Sequence, residues 1–402
     1  ANKVPGVRAA LASDTFTAKM TRRHNAANVL CIGSWVVGQG LAREILEAWL
    51  ASAYEGGRHQ RRVDKMSCLE DNSLPDGSIE RLDVGQLDVL TMGEILVEVM
   101  RPEPGTPLHQ TGWFRGPYPS GAPAIFIDAA ARLGFSAAIV GGIGADDFGR
   151  NLQARLQRSG VRNEFLTVVA DRPTGTAHVT YFGDGTRKFV FHIDGTAAVA
   201  QPAALPSTPP RLLHIMGCSL MATESMRKHI IVAMTEYHAA GTYISFDPNI
   251  RAELLGGRPV LDVVGPVLER CTVLLPGLPE LRLLASSIAI SMDELTEASC
   301  ASVLFERYEQ LKVIVVKRGS AGAAIYARSS ATPLPVEAVP VEEADATGAG
   351  DSFDAAFMCG WLAGLPLPEC GAVAARAGAA CAAAFGPMEG HIDRAAVAWP
   401  GA

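Results

Sequence analysis

No CxxC pair occurs among the eight cysteines of this 402-residue chain, which stand at positions 31, 68, 218, 271, 300, 359, 370 and 381. The ligand spacing of structural zinc sites is therefore missing. No leader with a basic start and an apolar core opens the chain. Scattered cysteines without a signal peptide lead us to expect a reducing cytoplasm. Long apolar runs are missing too: Ala355 to Pro368 and Gly371 to Gly386 are the longest, and the second contains Arg376. Both fall short of the ~20 residues a membrane span needs, so we expect a soluble protein without a membrane role. Positive charge is not in excess, with 35 Lys and Arg against 42 Asp and Glu and a net charge of -7. That removes a global cationic field for nucleic acid or anionic lipid. No repeat of fixed period and no Walker A lysine motif is present. What the chain does have is length for two to three domains and 48% hydrophobic residues to fill their cores. A small-molecule role is the expectation.

Phe16 to about Ser67 reads as helix, strand, helix, helix, with the apolar strand at Asn28 to Gly33 and Leu41 to Leu50 at helical spacing. This is too short for a complete doubly wound domain. From Leu69 to Gln86 the composition shifts to Glu, Asp, Asn, Ser, Pro and Gly, and a linker is placed at 69–86. After it comes a strand-like run at Leu87 to Leu96. Strand-like stretches at Ala137 to Val140, Leu212 to Met216, Thr242 to Phe246, Thr272 to Leu275 and Val313 to Val316 then alternate with helical ones. Such alternation means an α/β fold with a largely parallel sheet. One interruption, Thr176 to Ile193, alternates Val179, Tyr181, Phe189 and Phe191 around Gly183-Asp184-Gly185. It reads as a hairpin forming a small β lid, at about 174–196.

The segment Asp345-Ala-Thr347-Gly348-Ala349-Gly350-Asp351 follows an extended stretch and opens a helical run, Ser352 to Leu365. Glycines there let backbone N–H groups converge at a helix N-terminus, where the dipole favours an anion. A carboxylate directly after such a nest is positioned to take a proton from a hydroxyl attacking a bound phosphate. The plain alternative is an ordinary capped turn with Asp351 stabilising the helix dipole.

These residues resemble the C-terminal signature of the PfkB, or ribokinase-like, carbohydrate kinases, and other segments agree from about 87 to 392. Ser120-Gly121-Ala122-Pro123-Ala124 is similar to the family's N-terminal glycine signature, Asp247-Pro248-Asn249-Ile250-Arg251 to its sugar and phosphate motif, and Lys317-Arg318-Gly319-Ser320-Ala321-Gly322 to its nucleotide turn. The resemblance implies a ribokinase-like fold, sugar and ATP as substrates, and magnesium with potassium as cations. It implies that Asp351 is the catalytic base and that Gly348, Ala349 and Gly350 form the anion hole. Lys317, Gly319 and Gly322 would lie along ATP. Glu98, Gly121, Ala122, Pro123, Asp247, Asn249 and Arg251 would line the sugar site, although Glu98 also reads as a solvated residue at a strand end. Glu280 would hold magnesium through water, and Asp345 and Thr347 would lie on the monovalent-cation loop.

Two positions depart from the family pattern. Ile125 stands where asparagine is usual, and the metal-associated Asn-x-x-Glu reads Gly277-Leu278-Pro279-Glu280. A dinucleotide fingerprint, weighed at Gly142-Ile-Gly144-Ala-Asp-Asp147, fails because Asp147 replaces the third glycine. Within the kinase family, Gly116 to Asp128 resembles tagatose-kinase-like members first, then ketodeoxygluconate kinases and fructokinases. A ketohexose acceptor is therefore ranked ahead of a ketodeoxy sugar acid.

In the N-terminal stretch, Arg58 and Arg62 would share a helical face and grip a phosphate, or else form a solvated basic helix. Asn2 to Ala10, His24 to Leu30 and Glu55-Gly-Gly-Arg58-His59 resemble the C-terminal half of RpiB-type ribose-5-phosphate isomerases and their galactose-6-phosphate isomerase relatives. That implies a partial flavodoxin-like fragment at 1–68, with His24 opening the sugar ring and Arg58 and Arg62 binding phosphate. The chain begins at Ala1 without methionine, so a truncated bifunctional enzyme or a remnant is expected, with no isomerase activity by itself. The isomerase likeness also implies a homodimer. The sequence reading is thus a sugar kinase at 87–402; the alternative is a catalytically weak sugar- or nucleotide-binding protein with residues 1–68 as an oligomerisation module.

Overall fold

In the N-terminal part, Asp14 starts a helix, Thr15–Asn25, by accepting from the Thr17 N–H at 2.7 Å, and the last turn carries Arg22, Arg23 and His24 toward the negative end of the dipole. Strands Ala9–Leu11 and Val29–Cys31 pair in parallel, and a second helix spans Gln39–Leu50. Ala12, Ala18, Val37, Ile45 and Trp49 form the small core between them. The expected helix, strand and helix are present. The first strand escaped the sequence reading because Ala-Ala-Leu carries helix propensity and no β-branched side chain.

This computed structural model describes residues 7–57, 59, 60, 63, 79–183, 186–288 and 296–401. Arg58, Arg62 and the hairpin tip Asp184-Gly185 lie outside the described residues, as does most of the expected linker. The chain divides into two units, Ala1–Ile79 and Glu80–Ala402. The linker expected at 69–86 needs correction at its far end. Glu80–Leu82 is a strand of the second unit, paired in parallel with Ala204–Pro206, a contact that no local composition signals.

All five expected buried strands lie in one nine-stranded sheet. Its order is Leu334–Val336, Ala323–Ala327, Val313–Lys317, Val273–Leu274, Tyr243–Asp247, Leu212–Met216, Val89–Met92, Ala137–Gly144 and Leu166–Val169. Every pairing is parallel except the two that join Val313–Lys317, Ala323–Ala327 and Leu334–Val336 at one edge. Strands covered on both faces explain the continuous apolar runs. Helices Ala122–Arg132, Ala349–Leu362 and Leu367–Ala382 contribute to the core that covers one face, and the middle one is buried at nearly every position. Asp128 staples the first of these: Arg155 grips both its oxygens at 2.9 Å and Arg132 reaches back to the Gly390 carbonyl at 2.7 Å.

The single strand expected at Leu87 to Leu96 is in fact two. Val89–Met92 belongs to the large sheet, and Leu96–Met100 to a separate four-stranded sheet with Gly175–Tyr181, Arg187–His192 and Arg115–Ser120. The break falls at Gly93, where an added Cβ would stand 2.2 Å from Ser219 Oγ. The lid is therefore twice the expected hairpin. Arg115–Ser120 contains two prolines, which hid it in the sequence and which an edge strand tolerates.

Candidate active site

Asp247 and Lys317 are each the last residue of a parallel strand, so their side chains stand at the carboxyl edge of the sheet, where open α/β folds bind ligands. Lys317 Nζ donates to Asp247 Oδ2 at 2.9 Å and to Asp354 Oδ2 at 2.8 Å, inside the protein. Burial works against the ammonium, but the two carboxylates outweigh it and hold its pKa above the ordinary lysine value. One ammonium shared by two carboxyls leaves them unequal. Asp247 is held low by Lys317 despite burial, whereas burial and the Asp247 charge push Asp354 up.

Gly348 caps helix Ala349–Leu362 with φ 81°, and a Cβ there would meet the Pro387 carbonyl at 2.5 Å and Ile125 Cγ2 at 3.1 Å. Only glycine suits that turn. Ile125 thus packs under the nest, and its aliphatic side chain supplies no polar contact to the cavity it lines. Asp351, in the first turn, is buried and receives one long hydrogen bond, from Asn249 Nδ2 at 3.4 Å. Burial first, then the charge of Asp247, pushes its pKa up to about 7. Asn249 is itself in the left-handed region, at φ 35°, with its N–H donating to Asp247 Oδ1 at 3.1 Å.

Two cavities meet at this nest. One, of about 300 Å³, is walled by Glu94, Glu98, Asp247, Arg251 and Asp351 together with lid residues Arg187, Phe189 and Phe191. The other, of about 440 Å³, is bounded by Val339, Val341, Phe353, Ala375 and Ala379 and by the Gly319 to Gly322 turn. Lys317, Gly319, Ala346 and Gly350 line both. The structure therefore gathers Glu98, Gly121, Ala122, Asp247, Asn249, Arg251, Gly348, Gly350 and Asp351 on the first cavity, and Gly322, Ala349 and Gly350 on the second. Pro123 is buried at the start of helix Ala122–Arg132 and lines neither. Glu98 is a buried residue of the lid sheet, not a solvated strand end. Burial, with Asp345 and Asp351 nearby, raises its pKa to about 7.

Glu280 accepts from the Ile250 and Gly277 N–H groups, both at 2.8 Å, so each oxygen already holds a backbone turn in place. Asp345 accepts from Tyr181 Oη at 2.6 Å, the Thr347 N–H at 2.9 Å and the Gly386 N–H at 3.0 Å, and Tyr181 Oη also meets Thr347 Oγ1. The sequence reading missed four residues here: Glu94, Arg187, Phe189 and Asp354. Glu94 Oε2 accepts from Ser219 Oγ at 2.6 Å, and burial raises its pKa. Arg187 and Arg251 lie 5.8 and 5.7 Å from the Phe189 ring, and neither forms an ion pair among the described residues. Asp354 follows Asp351 by three residues, the one local signal that both share a helix face.

In the N-terminal unit, His24 stacks on His59 with ring centroids 4.2 Å apart, and both face Glu55.

Comparison with known proteins identifies both parts of the chain. The pfkB family carbohydrate kinase model matches residues 86–393, and the ribose/galactose isomerase model matches residues 1–66. The chain belongs to the pfkB family of carbohydrate kinases, with an isomerase-like segment before the kinase. A fructokinase of Klebsiella pneumoniae is 31% identical over 257 residues, covering 62% of this chain and 78% of that protein. An E. coli "putative Ribokinase II", solved free and with ATP and Mg2+, is 35% identical, with a TM-score of 0.69 over 78% of this chain and 98% of that one. "Putative sugar phosphate isomerase YwlF" of Bacillus subtilis is 55% identical over 74 residues; these are 18% of this chain and half the length of that relative. The fold is thus ribokinase-like and the enzyme a carbohydrate kinase. No described helix is long and apolar enough to cross a membrane.

Proposed function

We propose that this kinase transfers the γ-phosphoryl group of ATP to a hydroxyl of a ketohexose, fructose or tagatose before a ketodeoxy sugar acid. The observation that carries this reading is Asp351, a buried carboxyl in the first helical turn behind Gly348–Gly350, where a charged and an apolar cavity meet; burial pushes its pKa up to about 7. A sugar suits the first cavity, whose carboxylates Glu94 and Glu98 pair with hydroxyl groups. The nucleoside suits the second, with its phosphates running past Gly319 to the shared wall, and the E. coli relative bound to ATP and Mg2+ supports this. Asp351 takes the proton of the attacking hydroxyl, a bond forms from that oxygen to the γ-phosphorus, the β,γ-bridging bond breaks, and ADP leaves. The Gly348–Gly350 amides, Arg251 and Arg187 stabilise the charge on the transferring group.

Magnesium neutralises nucleotide phosphate charge when bound. Glu280 and Asp247 fit it through water, because their oxygens keep free lone pairs and the buried Asn249 Oδ1 beside them has no partner. Potassium fits less well: Asp345 already takes three donors and Thr347 Oγ1 is engaged by Tyr181, so no step is routed through that loop.

ADP release from magnesium-ATP over tagatose, fructose, ribose and ketodeoxygluconate tests the reading, with Asp351→Asn as control. One strong, mutation-sensitive sugar supports it. ATP binding without turnover on any sugar would favour the weak binding protein, the reading that the apolar Ile125 and Gly277 support.

A further inference from the structure

We propose that His24, Glu55 and His59 form a binding site for one divalent transition ion of the zinc class. His24 stands in the last turn of helix Thr15–Asn25, at the negative end of its dipole. The Glu55 N–H donates to the Arg23 carbonyl at 3.0 Å, which fastens the following segment to that helix end. The chain then turns through Gly56 and Gly57, with φ of 63° and 56°, and the His59 N–H closes the turn on the Gly56 carbonyl at 3.0 Å. This brings the second imidazole back over the first, with an interplanar angle of 6°.

The two oxygens of Glu55 divide their work. Oε1 accepts from Arg23 Nε at 2.6 Å and also meets the same guanidinium's terminal nitrogen. Oε2 faces His24 Nε2 at 3.5 Å and His59 Nε2 at 3.8 Å. Those separations are too long for good hydrogen bonds. They are close to the ~3.3 Å between neighbouring ligands of a tetrahedral ion with metal–nitrogen bonds near 2.0–2.1 Å. All three ligand atoms lie within 4.8 Å of one another, and binding requires the stacked rings to rotate until their in-plane lone pairs converge on one ion. Arg23 is the outer partner that ligating carboxylates characteristically have, fixing which oxygen points inward.

Two imidazoles and one carboxylate select zinc, cobalt or nickel over magnesium and calcium, which prefer oxygen ligands. They also leave a fourth position open. His59 is buried, while His24 and Glu55 each keep 35% of their side-chain surface, so an ion can enter from solvent.

The test uses the full chain, stripped with a chelator and held in excess Mg2+ to occupy hard-cation sites. Co2+ is titrated by visible absorption and Zn2+ by calorimetry. We expect one equivalent of Co2+ giving the intense bands of a four-coordinate site. His24→Ala and Glu55→Gln should each weaken binding more than about tenfold, and Arg23→Gln less. Cys31→Ser, which removes an exposed thiol, should change nothing. His59→Ala removes a buried side chain and is judged only if its circular dichroism is unchanged; the two half-exposed positions decide the matter otherwise. Affinity equal to the parent's in His24→Ala and Glu55→Gln, weak octahedral Co2+ bands, or loss of binding in Cys31→Ser would each overturn the site.

Discussion

The two cavities that share the Gly350 wall are built on opposite principles. In the charged one, Glu94, Glu98, Asp247 and Asp351 are buried beside the half-buried Arg251 with few partners of their own, and burial pushes the pKa of Glu98 and Asp351 up to about 7. In the apolar one, alanines, valines and Phe353 present shape and almost no charge. Charge left unmatched in a folded interior is costly, so it persists where a ligand completes it. A surface of small apolar residues needs no such completion and selects by fit. One helix start, Gly348 to Asp351, serves both sides.

The comparison can be broken most sharply at Asp351. Asp351→Asn should lower kcat by about 10²- to 10⁴-fold while ATP affinity holds; a loss below tenfold would end its role as base. Next comes the shared wall. Lys317→Met strands Asp247 and Asp354 without their cation and should cost about 3–5 kcal/mol of stability. An unchanged melting temperature would mean that the ion triad does not brace the site. On the apolar side, Ala379→Trp should raise the KM for ATP about tenfold, equivalent to ~1.4 kcal/mol, with the KM for sugar unchanged. Equal effects on both would show that the cavities are not separate.

Acidity sharpens the same contrast. Asp351 must be ionised to accept a proton, so its raised pKa places the loss of activity below pH about 7, not near 4. A limb with a slope near one marks Asp351 alone. A steeper limb that returns to one in Glu98→Gln would assign the second proton to Glu98. The smallest effect is expected at Tyr181, which ties the lid strand to Asp345. Tyr181→Phe should cost about 1 kcal/mol in unfolding experiments.

Much of the site was legible because its chemistry is local. The nest needs glycine at Gly348 and a carboxylate one turn into the helix, and both stand within four residues. Glu98 was legible too, but not its burial, because the second sheet covering it is assembled from Arg115–Ser120 and the hairpin. Arg187 and Phe189 were invisible for the same reason, since they reach the cavity only through lid pairings across sequence gaps. Glu280 and Asp345 were read as cation ligands. Their hydrogen bonds to Ile250, Gly277, Tyr181 and Gly386 are set by distant backbone, which no motif contains.

By itself, the sequence determined the alternation of buried strands and helices, the glycine turn with its carboxylate, and the isomerase-like segment ahead of the kinase. These depend on periodicity, backbone freedom and neighbours within a few residues. Only the tertiary structure decided which buried charges found partners, that Lys317 is divided between two carboxylates, and that burial beside Asp247 pushes the pKa of Asp351 up from its usual value. The reason is that desolvation and Coulomb energy depend on distance through space, and residues that set them here, such as Asp247 and Asp351, are more than a hundred positions apart in the chain.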